Sequence, residues 1–408
     1  MNLKLISILM LSAGLVACGG GSSSSDGTGS IDQNTGVDQN AGEGENTDGN
    51  QSSLTTLTDT SWSAGSDRII GIDYSGNTSN PVITTLKGTP VDTQDGDLFS
   101  FRSVTYPATE LAEIKSIDNL NDRTHFQDLE VMDEYVIACQ DGANTTGYEK
   151  AASLHIFKTT DTSKTKKIDI EVASDFQPRA CASISAAFTQ GTSTAMAAKV
   201  FMVGQTNIDL GGGSSETKDT LTQIDLTFDT TKDVDATDAI VVDSIERKFT
   251  ADDLADRLLG VTHWAHKLYF FQYDNSQGMN GTNNLKYLNT ASSSSSPVVV
   301  DVTAYDPFVS NASQQMFVKD MFMIPGTLST DSDTIYMVSD SGAPGVVTSA
   351  YRTDIGTSIK MALSTNSNTL NCSDVITGVA NNGVGAKMWC YDSTDAGKII
   401  EITSPVAQ

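Results

Sequence analysis

Residues 126–172 read FQDLEVMDEYVIACQDGANTTGYEKAASLHIFKTTDTSKTKKIDIEV. This stretch holds four runs that are rich in β-branched and aromatic residues, namely Phe126–Val131, Tyr135–Cys139, Ser153–Phe157 and Lys167–Val172. Alternation of apolar and polar positions with a period of two is typical of strands that bury one face. The stretch therefore predicts a unit of four antiparallel strands joined by short links.

Runs of the same kind recur along the whole chain. The first apolar residues of six such runs are Ile69, Tyr135, Val200, Leu268, Ile335 and Met388. They follow one another at steps of about 66, 65, 68, 67 and 53 residues. A near-constant step indicates repeated structural units rather than unrelated hairpins. We therefore predict six units.

A four-stranded unit that occurs about six times resembles the blades of a β-propeller, whose radial packing buries faces that one blade could not bury alone. The predicted fold is an all-β β-propeller of about six four-stranded blades, with seven blades or two β-sandwiches as alternatives. The last unit ends after Lys398–Thr403, while residues 54–62 form a spare β-type segment. These two facts predict that the N-terminal segment closes the ring and hides its sheet edges. One short helix is expected at Ala251–Leu259, with Thr250 as its cap.

The N-terminus has a short positive start, Met1–Lys4, followed by the apolar run Leu5–Val16. This run has the length of a signal peptide and is too short to span a membrane as a helix. It ends in Leu15-Val16-Ala17-Cys18, which resembles the lipobox of bacterial lipoproteins. That resemblance implies cleavage before Cys18, lipidation of its thiol and stable membrane anchoring. Gly19 stands where Asp would imply inner-membrane retention, so the outer membrane is expected.

A tether follows the cysteine. Residues 19–53 contain Gly, Ser, Asn, Asp, Gln and Thr almost throughout, and such a composition cannot form a core. The predicted organisation is a signal peptide at residues 1–17, a lipidated cysteine and flexible tether at 18–53, and a propeller-like domain at 54–408. A flexible chain of about 35 residues spans roughly 33 Å. This reach favours the cell surface over the periplasmic face as the location of the domain.

Acidic residues dominate the composition. The chain has 51 Asp and Glu against 25 Lys and Arg, a formal net charge of −26. Nucleic acid and anionic lipid surfaces are therefore disfavoured partners, because like charges repel. The expected partners are the membrane, reached through the lipid anchor, and a protein or a glycan.

The cysteines predict disulfides. Besides Cys18, the chain contains Cys139, Cys181, Cys372 and Cys390, an even number in an exported protein. Of the three pairings that four cysteines allow, we favour the sequence-local one, Cys139 with Cys181 and Cys372 with Cys390. No Cys-x-x-Cys occurs, so zinc ribbons and thioredoxin-like chemistry lack their residues.

Metal signals are few. Asp92, Asp95 and Asp97 lie close together in a predicted loop, and carboxylate oxygens of this kind suit calcium. The stretch lacks the full EF-hand spacing, and a polar turn is the alternative interpretation. His263 and His266 form His-x-x-His, but residues three apart on a strand point to opposite faces. We predict no resident cofactor, with these three aspartates as the one calcium candidate.

The sequence shows no catalytic motif, since Gly-x-Ser-x-Gly and a phosphate loop are both missing. The catalytic residues are therefore left unassigned. Two function classes stay open. The favoured one is a non-enzymatic binding or scaffold lipoprotein that grips a protein or glycan through its propeller. The alternative is an envelope hydrolase of a polysaccharide or peptide, and a cluster of Asp or Glu around one axial pocket would favour it.

Overall fold

Antiparallel strands form the regular structure that the computed structural model describes. All the described residues belong to one unit, Ser52–Gln408. They are 56–63, 67–76, 80–92, 96–118, 124–142, 150–172, 175–254, 256–264, 267–273, 283–290, 298–300, 317–324, 333–340, 349–353, 359–363, 372–380, 385–392 and 398–405. Within these ranges no helix is long and apolar enough to cross a membrane.

The described strands form six sheets, five with four strands and one with five. We name the sheets blades 1 to 6 in ring order. Blades 1 and 2 contain β2 (Arg68–Ser75), β3 (Val82–Asp92), β4 (Gly96–Thr105) and β5 (Ala112–Asp118), then β6 (Phe126–Met132), β7 (Tyr135–Gln140), β8 (Ser153–Lys158) and β9 (Asp161–Asp169). Blade 3 contains β10 (Phe176–Pro178), β11 (Ser183–Gly191), β12 (Ala195–Gly211), β13 (Ser214–Asp229) and β14 (Ile240–Thr250).

The remaining strands complete the list. Blade 4 contains β15 (Arg257–Trp264), β16 (Lys267–Tyr273), β17 (Asn283–Asn289) and β18 (Val298–Val300). Blade 5 contains β19 (Phe317–Ile324), β20 (Asp333–Asp340), β21 (Ser349–Thr353) and β22 (Ile359–Leu363). Blade 6 contains β23 (Cys372–Ala380), β24 (Gly385–Asp392), β25 (Lys398–Pro405) and the N-terminal strand β1 (Thr56–Thr58).

The inner strands close a ring. Each inner strand contacts the inner strand of the next blade, in the order β2, β6, β11, β15, β19 and β23, and β23 contacts β2 again. Sequential antiparallel blades around a common axis are the architecture of a β-propeller. The predicted all-β propeller with four-stranded blades is confirmed.

Ring closure by the N-terminal segment is also confirmed. Strand β1 pairs antiparallel with β25 as the outer strand of blade 6, with Thr56 opposite Ile400. Leu57 is fully buried there. Thr58 then exchanges backbone hydrogen bonds with the segment that precedes β5 of blade 1, donating to Thr109 O and accepting from Leu111 N. The closing strand therefore joins the last blade to the first.

Buried aromatic rings fill the spaces between blades. Phe99 and Phe101 of β4 contact Phe126 of β6 edge-on, at centroid distances of 4.9 and 5.9 Å. Phe101 also contacts Phe157 of β8 at 4.9 Å. Each such ring is fully buried and contributes on the order of 1.5–3 kcal/mol of transfer free energy. Blade-to-blade packing thus supplies the core that single sheets lack.

One sequence prediction was wrong, and the six repeated runs do not occupy the same strand in every blade. No helix forms at Ala251–Leu259, because β15 begins at Arg257 and buries Leu258 completely against the neighbouring blade. Among the six repeated runs, the one at Ile69 lies in the inner strand of its blade, whereas the others lie in second strands. Both kinds of strand are buried and rich in aliphatic residues, so their sequence patterns do not differ.

Candidate functional site

A cavity of about 610 Å³ lies on the axis of the ring. Residues of all six blades line it, which places it at the centre of the inner strands. They are Arg68, Ile69, Ile70, Gln127, Asp128, Asp141, Ala180, Cys181, Ala182, Gln205, Arg257, Leu259, Asp320 and Val375. This volume lies within the range of about 300–1,000 Å³ that is usual for small-molecule sites.

Inner-strand bulges bring the acidic side chains to this cavity. The pairing register shifts just before Asp128 in β6 and just before Asp320 in β19. In each case the carboxylate Oδ1 accepts a hydrogen bond of 2.8 Å from the backbone N–H of the next residue. Bulges of this type redirect side chains at the ends of strands. Blades 2 and 5 are three steps apart in the ring, so the two carboxylates come from opposite sides of the axis.

Two arginines line the same cavity from another pair of opposite blades, 1 and 4. Arg68 begins β2 of blade 1, Arg257 begins β15 of blade 4, and both are exposed. Arg257 Nε donates to Asp219 Oδ2 of blade 3 at 3.0 Å, which orients its guanidinium group. The cavity therefore receives arginines from blades 1 and 4 and aspartates from blades 2 and 5, and a third aspartate, Asp141, also lines it.

The buried aspartate before each arginine anchors the start of its strand. Asp67 accepts hydrogen bonds from Lys87 Nζ at 2.9 Å and Thr89 Oγ1 at 2.6 Å. Burial alone would raise the pKa of Asp67, but these bonds and one from Ser63 N hold it below its usual value. Asp256 accepts a hydrogen bond of 2.7 Å from Gln272 Nε2.

Asp128 joins blade 2 to blade 3. Its Oδ2 accepts hydrogen bonds from Ser183 Oγ at 3.0 Å and from Ile184 N at 2.9 Å. Burial raises the pKa of Asp128 to about 7, and the nearby carboxylate of Asp73 contributes in the same direction. A carboxyl group in this state exchanges protons near neutral pH.

Two more acidic residues lie on neighbouring inner strands. Asp73 is in β2 of blade 1, and Glu130 is in β6 of blade 2, two residues after Asp128. Asp73 accepts hydrogen bonds from Val131 N at 2.6 Å and from Thr377 Oγ1 of blade 6 at 3.1 Å. Its carboxylate also shares a hydrogen bond with the Glu130 carboxyl. Burial raises the pKa of Asp73 to about 6, and burial together with Asp73 raises that of Glu130 well above its usual value.

Asp141 connects the cavity wall to a disulfide. Its two oxygens accept hydrogen bonds from Cys181 N at 2.8 Å and Gln127 Nε2 at 2.7 Å. Burial raises the pKa of Asp141 to about 6. Cys181 is bonded to Cys139 of β7, so this bridge links blade 2 to the segment that leads into β11.

The predicted site residues have different outcomes. The Cys139–Cys181 disulfide is confirmed. Cys390 is disulfide-bonded as well, and its pairing with Cys372, which begins the neighbouring strand β23, stays a prediction. Cys18 and the tether lie outside the described residues.

The predicted metal residues are not brought to the cavity. Asp92 ends β3 and Asp97 lies in β4, in adjacent paired strands of blade 1, while Asp95 lies outside the described residues. The calcium site therefore stays a prediction. His263 packs its ring on Phe201 at a centroid distance of 4.7 Å, and His266 lies outside the described residues. In the part of the chain that the structure describes, no three His, Cys, Asp or Glu residues gather as a metal site.

Sequence reasoning missed the residues that line the cavity, although one signal was present. The stretches Asp67-Arg68-Ile69-Ile70-Gly71 and Asp256-Arg257-Leu258-Leu259-Gly260 have the same pattern, Asp-Arg, two aliphatic residues and Gly. Both begin inner strands. Alignment of the repeats on this pattern would have placed both arginines at the same end of the ring.

No protein-family model and no curated protein sequence matches the chain. Among solved structures, it is similar to an α-L-arabinanase of Penicillium chrysogenum complexed with arabinobiose, at 9% identity and a TM-score of 0.49, over 86% of this chain and 98% of that one. It is similar to the fucose-binding, six-bladed lectin of Aleuria aurantia at 10% identity and a TM-score of 0.44, over 84% and 97%. An apocarotenoid oxygenase of Synechocystis is 8% identical with a TM-score of 0.40, over 72% and 64%.

Proposed function

We propose that this chain is a lipid-anchored cell-envelope protein that binds a glycan in the axial cavity of its propeller. The observation that carries the proposal is the polar lining of that cavity, with two Arg, three Asp and two Gln contributed by different blades. Sugar hydroxyl groups both donate and accept hydrogen bonds. Carboxylates accept them, guanidinium groups donate them, and amides do both, so this lining matches a polyhydroxylated ligand.

Asp320 is the residue with which to test binding. Its Oδ1 accepts the Met321 N–H at 2.8 Å, and an asparagine oxygen can keep this bond. Asp320→Asn therefore removes the charge while it preserves the bulge. A hydrogen bond from a sugar hydroxyl to a charged acceptor contributes about 1.5–3 kcal/mol, so the variant should bind glycan roughly tenfold to a hundredfold more weakly.

The experiment is calorimetric titration of the purified full-length chain, in detergent, with oligosaccharides first identified on a glycan array. Gln205→Ala, which alters another lining residue, should also weaken binding. Gln190→Ala is the matched control, because Gln190 is exposed in β11 and does not line the cavity. Unchanged affinity in both cavity variants, or no bound glycan at all, would contradict the proposal.

A second candidate function is hydrolysis of a polysaccharide. It is favoured by one observation, the carboxyl group of Asp128 with its pKa raised to about 7, opposite Asp320 in the same cavity. A protonated carboxyl and an ionised one on two sides of a glycosidic bond are what acid–base hydrolysis requires. The wild-type chain should then release new reducing ends from the oligosaccharides that bind on the array, and Asp320→Asn should not. Oligosaccharides that stay intact after long incubation would favour binding alone.

The anchoring part of the proposal rests on Leu15-Val16-Ala17-Cys18. Replacement of the thiol in Cys18→Ser removes the atom that would be lipidated. The variant should therefore fail to incorporate a labelled fatty acid that the wild-type chain incorporates. Equal fatty-acid incorporation by the variant and the wild type, or none by either chain, would overturn the lipid anchor at Cys18.

We propose the outer face of the outer membrane as the location, supported by the length and composition of residues 19–53. Protease treatment of intact cells should remove the domain while a periplasmic control protein survives. Survival of the domain until the envelope is opened would place it on the periplasmic side.

A further inference from the structure

The two cavity arginines are related by the approximate symmetry of the ring. Arg68 and Arg257 occupy the same position of the repeated Asp-Arg-aliphatic-aliphatic-Gly pattern, in blades 1 and 4. Blades three steps apart in a ring of six face each other across the axis. Both arginines line the same cavity.

The anchoring contacts differ in detail but have the same effect on the backbone. In blade 1, Asp67 is held by Lys87 and Thr89, and in blade 4, Asp256 is held by Gln272. Each buried carboxylate fixes the residue that directly precedes an arginine. In blade 4 the guanidinium group of Arg257 is itself oriented by Asp219, which lowers the entropic cost of binding.

Guanidinium groups bind carboxylates through paired, charge-assisted hydrogen bonds. Two of the three acidic lining residues, Asp128 and Asp320, come from a different pair of opposite blades, 2 and 5. In a ligand that has a carboxylate and several hydroxyl groups, the carboxylate can therefore bind the arginines while the hydroxyl groups bind the aspartates. A neutral sugar would use the aspartates and leave the arginine pair to weaker hydroxyl contacts.

We propose that the glycan recognised by the cavity contains a uronic acid, whose carboxylate binds Arg68 and Arg257 while its hydroxyl groups bind Asp128 and Asp320. This inference rests on the proposed glycan-binding function and adds the class of sugar. The net charge of −26 does not prevent it, because surface charges are screened over about 8 Å at physiological ionic strength and the arginines act by direct contact.

The test compares two probes of equal length on the full-length chain, a neutral hexose tetrasaccharide and the tetrasaccharide of the corresponding hexuronate. We expect the hexuronate to bind at least tenfold more tightly. Arg68→Gln should abolish this preference. Arg257→Lys keeps a cation near Asp219 but removes the planar fork, and should reduce the preference.

Arg247→Gln is the matched control. Arg247 lies on the outer strand β14, pairs with Asp175 and does not line the cavity. It should leave the preference unchanged. Equal or tighter binding of the neutral probe would overturn the uronate inference while glycan binding stands. Failure of both probes and of every array glycan would instead overturn the proposed function, and with it this inference.

Discussion

Asp73 of blade 1 and Glu130 of blade 2 share a hydrogen bond between their carboxyl groups, across the junction of two inner strands. A hydrogen bond between two carboxyl groups requires a proton on one of them. The raised pKa of Glu130 assigns the proton to Glu130, which then donates to the Asp73 carboxylate. This one of the several contacts between the first two blades therefore depends on a bound proton.

Glu130→Gln should stabilise the fold at pH 7.5. The glutamine amide donates to Asp73 as the protonated carboxyl does, but it needs no proton uptake on folding. We expect the free energy of unfolding to rise, because the variant removes the cost of binding a proton at this pH. Urea unfolding followed by fluorescence measures this change.

Glu134→Gln is the matched control for that variant. Glu134 lies nearby but is partly exposed, and its carboxylate accepts from Lys158 Nζ at 2.7 Å. The hydrogen bond from Lys158 lowers its pKa, so neutralisation should cost less than about 1 kcal/mol. If Glu130→Gln lowers the free energy of unfolding by as much as Glu134→Gln does, Asp73 and Glu130 do not share a proton.

The wild-type protein should become more stable as pH falls from 7.5 to 5.5. Burial raises the pKa of Asp128 to about 7 and those of Asp73 and Asp141 to about 6. In this window the folded state binds protons that the unfolded state does not, so unfolding becomes harder as pH falls. The net gain should be on the order of a few kcal/mol.

One histidine acts in the opposite direction. Burial lowers the pKa of His155 to about 3, so its stabilising effect is lost as pH falls below about 6.5. Three or more carboxyl groups outweigh this one ring. Thermal unfolding midpoints at pH 7.5, 6.5 and 5.5 measure the net effect of these groups. A midpoint that falls steadily as the pH is lowered would show that the cavity carboxyls are not protonated in the folded protein.

Removal of the Cys139–Cys181 bridge should weaken the fold strongly. The bond closes a loop with a sequence separation of 42 residues, for which the chain-entropy account gives about 4 kcal/mol. The double variant Cys139→Ala, Cys181→Ala should therefore unfold at a lower urea concentration. Because Cys181 N donates to Asp141 at the cavity wall, ligand affinity should fall as well. An unchanged unfolding midpoint would show that packing alone holds this junction.

Gly204→Ala should distort the cavity wall. A Cβ atom at this position would lie 2.1 Å from the carbonyl oxygen of Ala180, in the segment that lines the cavity. Displacement of that segment should cost about 1–3 kcal/mol and weaken ligand binding. Gly88→Ala is the control, because its Cβ would meet Phe99 at an ordinary 3.4 Å. Equal stability and affinity in the two variants would contradict the close approach.

Leu57→Ala tests the closing strand. Leu57 is fully buried in a cluster that contains Trp389 and Ile399, and its truncation should cost about 2–5 kcal/mol. Thr56→Ala changes a half-buried residue of the same strand and should cost much less. Limited proteolysis, in addition to thermal unfolding, would show whether blade 6 opens first. A stable, protease-resistant Leu57→Ala variant would mean that β1 is dispensable.

The repeated strands could be predicted because each buries a face and so alternates apolar with polar residues. Tyr135–Cys139 and Ser153–Phe157 were located almost to the residue. The boundaries of β9 were not, because its half-exposed run Asp161–Asp169 is held by pairing with β8 rather than by an apolar pattern. The helix at Ala251–Leu259 was wrong for a related reason, since burial of Leu258 between blades outweighs local helix propensity.

The cavity could not be predicted from strand patterns. Asp128 and Asp320 are single polar residues within apolar runs, and only the inner position of their strands brings them to one axis. Inner and second strands have similar composition, so the ring order had to be known first. The local Cys139–Cys181 pairing was predictable because neighbouring blades keep sequence neighbours close.

Closure of blade 6 by β1 also has a consequence for biogenesis. Leu57 belongs to the first strand of the domain to leave a ribosome or a translocation channel, and Ile400 belongs to the last. Until that last strand arrives, β1 has no partner strand and blade 6 lacks two of its four strands. The ring therefore closes only after residues 398–405 have been made, and the axial cavity reaches its final form no earlier than that pairing.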